Sequence, residues 1–480
     1  MSAKKSEVGA EGLGTFLGVY TPSILTILGV VLFLRTGWVV GNVGLLPALL
    51  IVVLAHVITA TTALSVSAIA TNMRVGSGGA YYLISRSLGL EIGGAIGVPL
   101  FLAQTFSVTL YAFGFAEGVQ LLWPEAPAVA IAAATVVAVS AVSAAGPDLA
   151  LKMQLPIMTA VGLALVVLVV GVARSPTASV PLLAEDGPSE PFWVVFAVFF
   201  PAVTGLLSGV SMSGDLADPK RSIPLGTILA VLTGFFVYMA VPVVLSVGAP
   251  LDELRADNMI WFRLAWLPLL IWPGFLGAIL SSAMGSILGA PRTLAALAAD
   301  RVVPRLPRWR VGRRRLDLPL VVSTAVALGA VGLGDLNAVA PVLTMFFLTT
   351  YGVVNLVAGL EELSGAPSYR PSIRVPWWLS LASAVACAWV MMLINVAAAL
   401  VAILVEILLY MMLRRRSFST SFGDLRYGAL VSLARASLMR LRSLPMDPRN
   451  WRPHILVYTD EPERRVDLIR FGSWLNQNRG

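Results

Sequence analysis

Long apolar runs separated by short polar segments repeat along the chain as far as residue 413. Twelve have about the length of a membrane crossing: 17 to 40, 45 to 70, 92 to 121, 126 to 145, 153 to 173, 192 to 213, 224 to 247, 264 to 295, 318 to 334, 338 to 360, 376 to 395 and 397 to 413. About 20 consecutive apolar residues cross a hydrocarbon core as a helix. A helix also satisfies its own backbone groups there, which an open strand cannot. The pattern predicts an all-α integral membrane protein with about twelve transmembrane helices, and the runs recur too often for a signal peptide or a single anchor.

Two runs are interrupted at mid-depth. The first, FLGVYTPSILTILGVVLFLRTGW, contains Pro22 and Gly29; the sixth, VFAVFFPAVTGLLSGVSMSGD, contains Pro201, Gly205 and Gly209. Gly29 and Gly205 stand 176 residues apart, with five runs to a unit. That spacing predicts two inverted five-helix repeats whose broken first and sixth helices face each other, followed by two further helices. The amides of a half-helix N-terminus suit an anion, and the carbonyls of a C-terminal end suit a cation. The competing reading is that these Gly and Pro residues only permit close packing or kinks. Interruptions at matching positions of both repeats argue against it, since depth and spacing would have to agree by accident.

Of the 480 residues, 57% are apolar and 12% charged, with a mean hydropathy of +0.84. A soluble globular protein carries about 25% charge, so that class is excluded. Residues 414 to 480 hold 13 basic and 6 acidic side chains, a net +7 of the chain's +8. The basic balance therefore belongs to a tail, and no nucleic-acid partner is expected. In a twelve-span count, Lys4, Lys5, Arg74, Arg86, Lys152, Lys220, Arg221, the cluster Arg301, Arg305, Arg308, Arg310, Arg313, Arg314 and Arg315, then Arg370, Arg374 and Arg414 to Arg416 share one side. The acids Glu125, Glu185, Asp186, Glu190, Asp252, Glu253 and Asp257 fall on the other. The basic side reads as cytoplasmic, with both termini there, and the Arg cluster reads as an orientation signal against anionic lipid.

Three segments follow: a cytoplasmic N-terminal stretch (1–16), a transmembrane transporter domain (17–413) and a tail (414–480). The tail is Ser- and Arg-rich to about 450. It then shows a strand-like run, HILVY at 454 to 458, and a helix-like segment from 463 to 475. This resembles the opening of a soluble α/β domain, so the tail is expected to be the incomplete start of a cytoplasmic C-terminal domain. Cys387 is the single cysteine, and the two histidines, His56 and His454, are far apart. No disulfide, metal cluster or cofactor is expected. An enzyme would need paired acids, a histidine cluster or a nucleophile with its base. Asp215 and Asp218 are the nearest to a pair, and SGDLADPKRSIP reads instead as a capped turn between the sixth and seventh runs, with Pro219 ending the helical run.

Four stretches carry a resemblance: ILGVVLFLRTGWVVG (27 to 41), LSVSAIATNMRVGSGGAYYLISRSLGLEIGGAIG (64 to 97), YAFGFAEG (111 to 118) and FFPAVTGLLSGVSMSGDLADPKRSIPLGT (199 to 227). Together they resemble the cation-chloride cotransporters, within the amino acid-polyamine-organocation superfamily, over essentially the whole membrane region. The resemblance implies a potassium site from the carbonyls of Thr26, Ile27 and Pro201 and the hydroxyls of Thr204 and Tyr111. Thr26 replaces the usual Asn, at a position where the ligand is a backbone oxygen. It implies a sodium site from the carbonyls of Leu25, Leu28 and Ala278 and the hydroxyls of Ser281 and Ser282. That serine pair is generally missing from the sodium-independent branch, so the sodium-potassium-chloride branch is favoured. Taken alone, adjacent helical serines bond to the carbonyl four residues back. Leu28 replaces a bulkier aromatic. Two chloride sites are implied, one from the amides of Gly29, Val30 and Val31, the other from those of Gly205, Leu206 and Leu207 with the Tyr351 hydroxyl. Arg35 and Glu117 would form an extracellular gate; the alternative is that each snorkels to the surface alone.

The central segments of the spans in the two repeats lack a carboxylate, since Glu117 lies toward the outer end of the third span and Glu406 on the twelfth, outside the repeats, so a bound cation would need chloride as its counter-charge. Opposite ions about 4 Å apart attract by roughly 4 kcal/mol at an effective dielectric near 20. The expected function is a secondary active symporter of the plasma membrane, coupling chloride to sodium, potassium or both. It would be electroneutral, with no cofactor; its partners would be the transported ions, the lipid bilayer and, by resemblance, a second copy in a homodimer. An amino-acid permease of the same superfamily is the alternative, its substrate carboxylate taking the first-span amides.

Overall fold

Span 1 comes apart at Leu28 and Gly29. The helix Thr21–Ile27 stops where Leu28 turns to φ −83°, ψ 37° and Gly29 to φ −84°, ψ −149°, and a new helix starts at Val30. Span 6 breaks likewise: the helix Phe192–Phe199 tightens into a 3₁₀ turn at Phe200–Val203, and Leu206–Ser211 resumes after Gly205. Pro201 has no amide to donate to a regular ladder, which fits a break at this point.

The computed structural model describes residues 12–73, 78–145, 148–176, 182–183, 187–303, 309–311, 314–365, 369–415, 425–444, 455–458 and 463–475. Two compact units divide the chain, 1–429 and 430–480. In the first, eleven helices among the described residues are long and apolar enough to cross a membrane. In chain order they are span 1 (Phe16–Leu34), span 2 (Leu45–Asn72), span 3 (Leu90–Leu122), span 4 (Ala128–Ala145), span 5 (Lys152–Arg174), span 6 (Phe192–Asp215), span 7 (Pro219–Gly248), span 8 (Pro268–Ala299), span 10 (Leu336–Ser364), span 11 (Trp377–Ile394) and span 12 (Val396–Arg414). The ninth apolar run, expected over 318–334, forms the shorter helix Leu318–Val331. Its 14 residues rise about 21 Å, less than the hydrocarbon thickness. Gly334, at φ +98°, turns the chain out of it. Helix 318–331 still belongs to the bundle, since Thr109 of span 3 donates to its Ala327 carbonyl at 2.8 Å and its Thr324 to Ser140 of span 4 at 2.9 Å. The chain is an all-α, multi-pass membrane protein.

Burial sorts the spans into a centre and a rim. The broken spans 1 and 6 are each 89% buried within the protein, whereas span 12 is 11% buried. The interrupted helices are therefore packed on all sides by protein, where freed backbone groups at membrane depth are tolerated. Among the described residues the β-structure is a ribbon of two three-residue strands, Trp309–Val311 and Arg314–Leu316, within the Arg-rich segment, and a single parallel bridge between Leu13 and Leu216. Arg305, Arg308 and Arg313 of that segment lie outside the described residues, as do Lys4, Lys5, Arg74, Glu185, Asp186 and Arg416.

Two local expectations are corrected. Pro219 opens span 7 instead of closing a helix: it holds the first helical position, where its missing amide costs nothing, and the Asp218 carboxylate accepts the Arg221 amide at 3.4 Å as the cap. In the second unit, residues 455–458 form no strand, and His454 lies outside the described residues. Val457 and Ile455 pack instead on Gly472 of the helix Val466–Leu475. The tail also holds a helix, Leu425–Ser443, where the sequence showed only Ser- and Arg-rich composition.

Candidate functional site

The two breaks face each other at contact distance. A β-carbon placed on Gly205 would stand 2.7 Å from the Ile27 amide nitrogen and 2.9 Å from the Ser23 carbonyl. On Gly29 it would meet the Thr26 carbonyl at 2.9 Å, the Ser282 Oγ at 3.0 Å and the Tyr111 ring at 3.4 Å. Only hydrogen atoms fit these positions, so the two glycines let backbone approach backbone. The ladder of span 1 ends with the Leu28 amide on the Ile24 carbonyl (2.7 Å) and resumes with the Leu32 amide on that of Gly29 (3.2 Å). The amides of Gly29, Val30 and Val31 fall in the gap. In span 6 the Thr204 amide meets the Pro201 carbonyl (3.3 Å) and the Ser208 amide that of Gly205 (3.0 Å), which leaves Gly205, Leu206 and Leu207 in the second gap. Among the described residues none of these six amides has a main-chain acceptor.

The side chains singled out in the sequence arrange around the breaks in different ways. Tyr111 is 3% exposed, its ring standing with the Ser282 hydroxyl beside Gly29. Ser282, fully buried, donates to the Leu25 carbonyl at 3.1 Å, which joins spans 1 and 8. Ala278 is buried one turn before it. Ser281, partly buried, lines two cavities. Thr204 Oγ1 donates to the Pro201 carbonyl (2.8 Å) and Thr26 Oγ1 to that of Pro22 (2.7 Å), both within their own helices. Tyr351 is completely buried and donates to the Thr204 carbonyl at 2.8 Å, holding its hydroxyl against the break of span 6.

Tyr238 of span 7 was not foreseen. It is fully buried and donates to the Ile27 carbonyl at 2.8 Å, so it steadies the break of span 1 as Tyr351 steadies that of span 6. A second missed group is the chain Thr293 to Gln104 (2.8 Å) to Ser211 (3.2 Å), which ties spans 8, 3 and 6 together. No local pattern marks these residues, because each acts through a partner more than 100 positions away.

A cavity of about 30 Å³ lies between the breaks, lined by Thr26, Tyr111, Thr204 and Gly205 and, beyond them, Ser107, Ser208, Ser286 and Gln104. Its lining includes no charged side chain. A second cavity of about 20 Å³ shares Ser208, Ser211 and Gly285 with it and reaches Arg292.

Ion pairs tie both ends. At one, Arg35 is 2% exposed, although it sits at a second irregular position of the chain (φ −121°, ψ −15°). It holds Glu117 in a bidentate pair at 2.6 and 2.9 Å and donates to Asn337 Oδ1 at 2.8 Å. Two such parallel bonds fix orientation as well as energy. At the other end Arg292 meets Asp215 at 2.9 Å, and the Asp215 carbonyl accepts the Leu13 amide at 2.9 Å. Nearby, Arg86 grips Asp300 at 2.9 and 3.0 Å, and the Tyr81 hydroxyl donates to the same carboxylate at 2.8 Å. Burial, and then the adjoining carboxylate, push that hydroxyl above its ordinary range.

A profile of the amino acid permease family matches residues 18–457. The chain is 32% identical to solute carrier family 12 member 2 of Mus musculus over 538 aligned residues, covering 98% of this chain and 44% of that protein. The human member 2 gives the same identity and coverage. Human solute carrier family 12 member 1 is 30% identical over 548 residues, covering 99% of this chain and 49% of that protein. The chain thus spans a little under half the length of these relatives, which are solute carriers and not enzymes. With the profile covering nearly all of it, the chain belongs to the amino acid permease family, and these relatives are members of solute carrier family 12.

Proposed function

We propose that the chain is a secondary active symporter, moving chloride together with sodium, potassium or both by alternating access. The observation that carries this reading is the size and chemistry of the cavity between the breaks. A water molecule needs roughly 10–15 Å³ of such space, and about 30 Å³ is available, lined by hydroxyls and an amide side chain together with Leu207 and Phe347. That volume suits a partly dehydrated ion and is small for an amino-acid zwitterion. The alternative, an amino-acid permease, draws its support from the family name alone.

In this reading Leu25 and Ser282 with Ala278 and Leu28 serve sodium, and Thr26, Ile27, Pro201, Thr204 and Tyr111 serve potassium. The amides after each break serve chloride, with Tyr351 beside the second. Tyr238 and Tyr351 keep the carbonyls and amides in place between transport events. The Arg35–Glu117 pair acts as the extracellular gate, and the Arg292–Asp215 end faces the cytoplasm, as the basic loops require.

Uptake of rubidium, standing in for potassium, into vesicles reconstituted with the protein tests the proposal. Uptake that requires chloride and rises with external sodium supports it. Sodium-driven amino-acid uptake that ignores chloride would replace it with the permease reading.

A further inference from the structure

Spans 4, 5 and 8 line a larger open groove of about 530 Å³ that the transport reading leaves unused. Ala138 and Val142 of span 4, Met153 and Pro156 of span 5 and Gly277 of span 8 line it, so its wall is nearly all hydrocarbon. An apolar cavity of roughly 150 Å³ takes up benzene, so this one has room for a much longer chain. Left empty, its lining would forfeit dispersion contacts on one side. Spans 4 and 5 are only 28% and 33% buried, so the space borders the bilayer and hydrocarbon is what lies against it.

Two further features say which occupant fits and what it would touch. Lys152 immediately precedes the lining residue Met153 and is exposed at the end of span 5, which suits an anionic head group. Ser281 and Met284 line this space and also the small cavity lined by Pro22, Ser208 and Arg292. One thin wall therefore separates the apolar groove from the passage to the breaks.

We propose that the groove holds one acyl chain of an anionic phospholipid, its head group at Lys152, and that occupancy sets cation affinity by bracing the wall formed by Ser281 and Met284. The second half rests on the transport reading; the first does not.

The test uses the full chain in phosphatidylcholine vesicles with and without phosphatidylglycerol, each lipid carrying a photoactivatable acyl chain. The label is mapped to peptides, and sodium-dependent rubidium uptake is measured in the same preparations. The expected result is label concentrated on the segments containing Met153 and Met284. It is lost in Ala138→Phe, which fills the groove from an exposed position, and in Lys152→Gln its preference for phosphatidylglycerol disappears. Label on span 11 stays unchanged in both variants, as a check on folding. Half-saturating sodium shifts several-fold between the two lipid compositions in the unaltered protein and not in Ala138→Phe. Label spread evenly over the lipid-facing spans, or undiminished in Ala138→Phe, overturns the site. Site-specific label with no lipid-dependent shift overturns the coupling. If no vesicles take up rubidium in a chloride-dependent way, the transport reading falls while the labelling still judges the groove.

Discussion

Gly205 rests its α-carbon against the main chain of Ile27, so closely that a single added methyl would stand 2.7 Å from the Ile27 nitrogen. This contact joins the break of one repeat to that of the other, and neither side is a flexible side-chain tip that can move aside. Gly205→Ala is expected to cost on the order of 1–3 kcal/mol through overpacking and to abolish uptake. Gly162→Ala, on span 5 with nothing within 4 Å, is expected to change neither. Melting temperature and rubidium uptake check both. Equal behaviour of the two variants would remove the claim that the breaks are packed face to face.

The adjacent serines of span 8 separate cleanly. Ser282 is fully buried on the Leu25 carbonyl, while Ser281 lines two cavities. Ser282→Ala is expected to raise half-saturating sodium about tenfold, corresponding to about 1.4 kcal/mol, and Ser281→Ala to shift it much less. Sodium titrations of rubidium uptake read the difference; an equal shift in both would argue for a sodium cage using the pair.

The parts of this site that the sequence disclosed are those that disturb a local pattern. Pro22, Gly29, Pro201 and Gly205 interrupt apolar runs, and the equal spacing of the two interruptions discloses the repeat. Tyr238 disturbs nothing: a tyrosine in an apolar helix reads as packing until the fold brings it 211 positions across to the Ile27 carbonyl. Gln104, Ser211 and Thr293 are hidden in the same way. Helix 318–331 is shorter than its apolar run because Gly332 and Gly334 extend the run after the helix has ended. Pro219 was misjudged because a proline marks a helix start as readily as an end, and the Asp218 cap decides which.

Glu117→Gln is expected to loosen one end without unfolding the protein. It removes the charge opposite Arg35 but keeps an oxygen to accept from it, and Asn337 and the Leu34 carbonyl still hold the guanidinium. A cysteine-directed reagent added at the Glu117 end should then modify Tyr111→Cys faster in the Glu117→Gln background, with melting little changed. Breaking a buried pair outright typically costs about 3–5 kcal/mol, so Glu117→Ala should lower melting far more. Parallel loss of fold and access in both variants would make the pair a structural clamp and not a gate.

Tyr351→Phe separates the anion site from the cation sites. The hydroxyl now donates to the Thr204 carbonyl and lies next to the amides of Gly205, Leu206 and Leu207. Losing one neutral donor to a bound chloride is worth about 1 kcal/mol, which is roughly a fivefold rise in half-saturating chloride. Half-saturating rubidium should move less. If rubidium moves instead and chloride does not, the tyrosine belongs to the cation site.

None of the residues lining the 30 Å³ space carries a charge, and the nearest ionic groups lining the passage, Arg292 with its partner Asp215, are already paired at its far end. A lone cation there would be stabilised by carbonyl and hydroxyl dipoles only, and a lone chloride by amides only. Each ion nevertheless gains roughly 4 kcal/mol from an opposite ion about 4 Å away at an effective dielectric near 20, so joint occupancy is the favoured loaded state. Transport should therefore carry no net charge. Rubidium uptake into vesicles should be the same with the membrane potential clamped at zero or strongly negative inside, and should vanish when gluconate replaces chloride. Uptake that follows the imposed potential would mean that a cation crosses without its chloride.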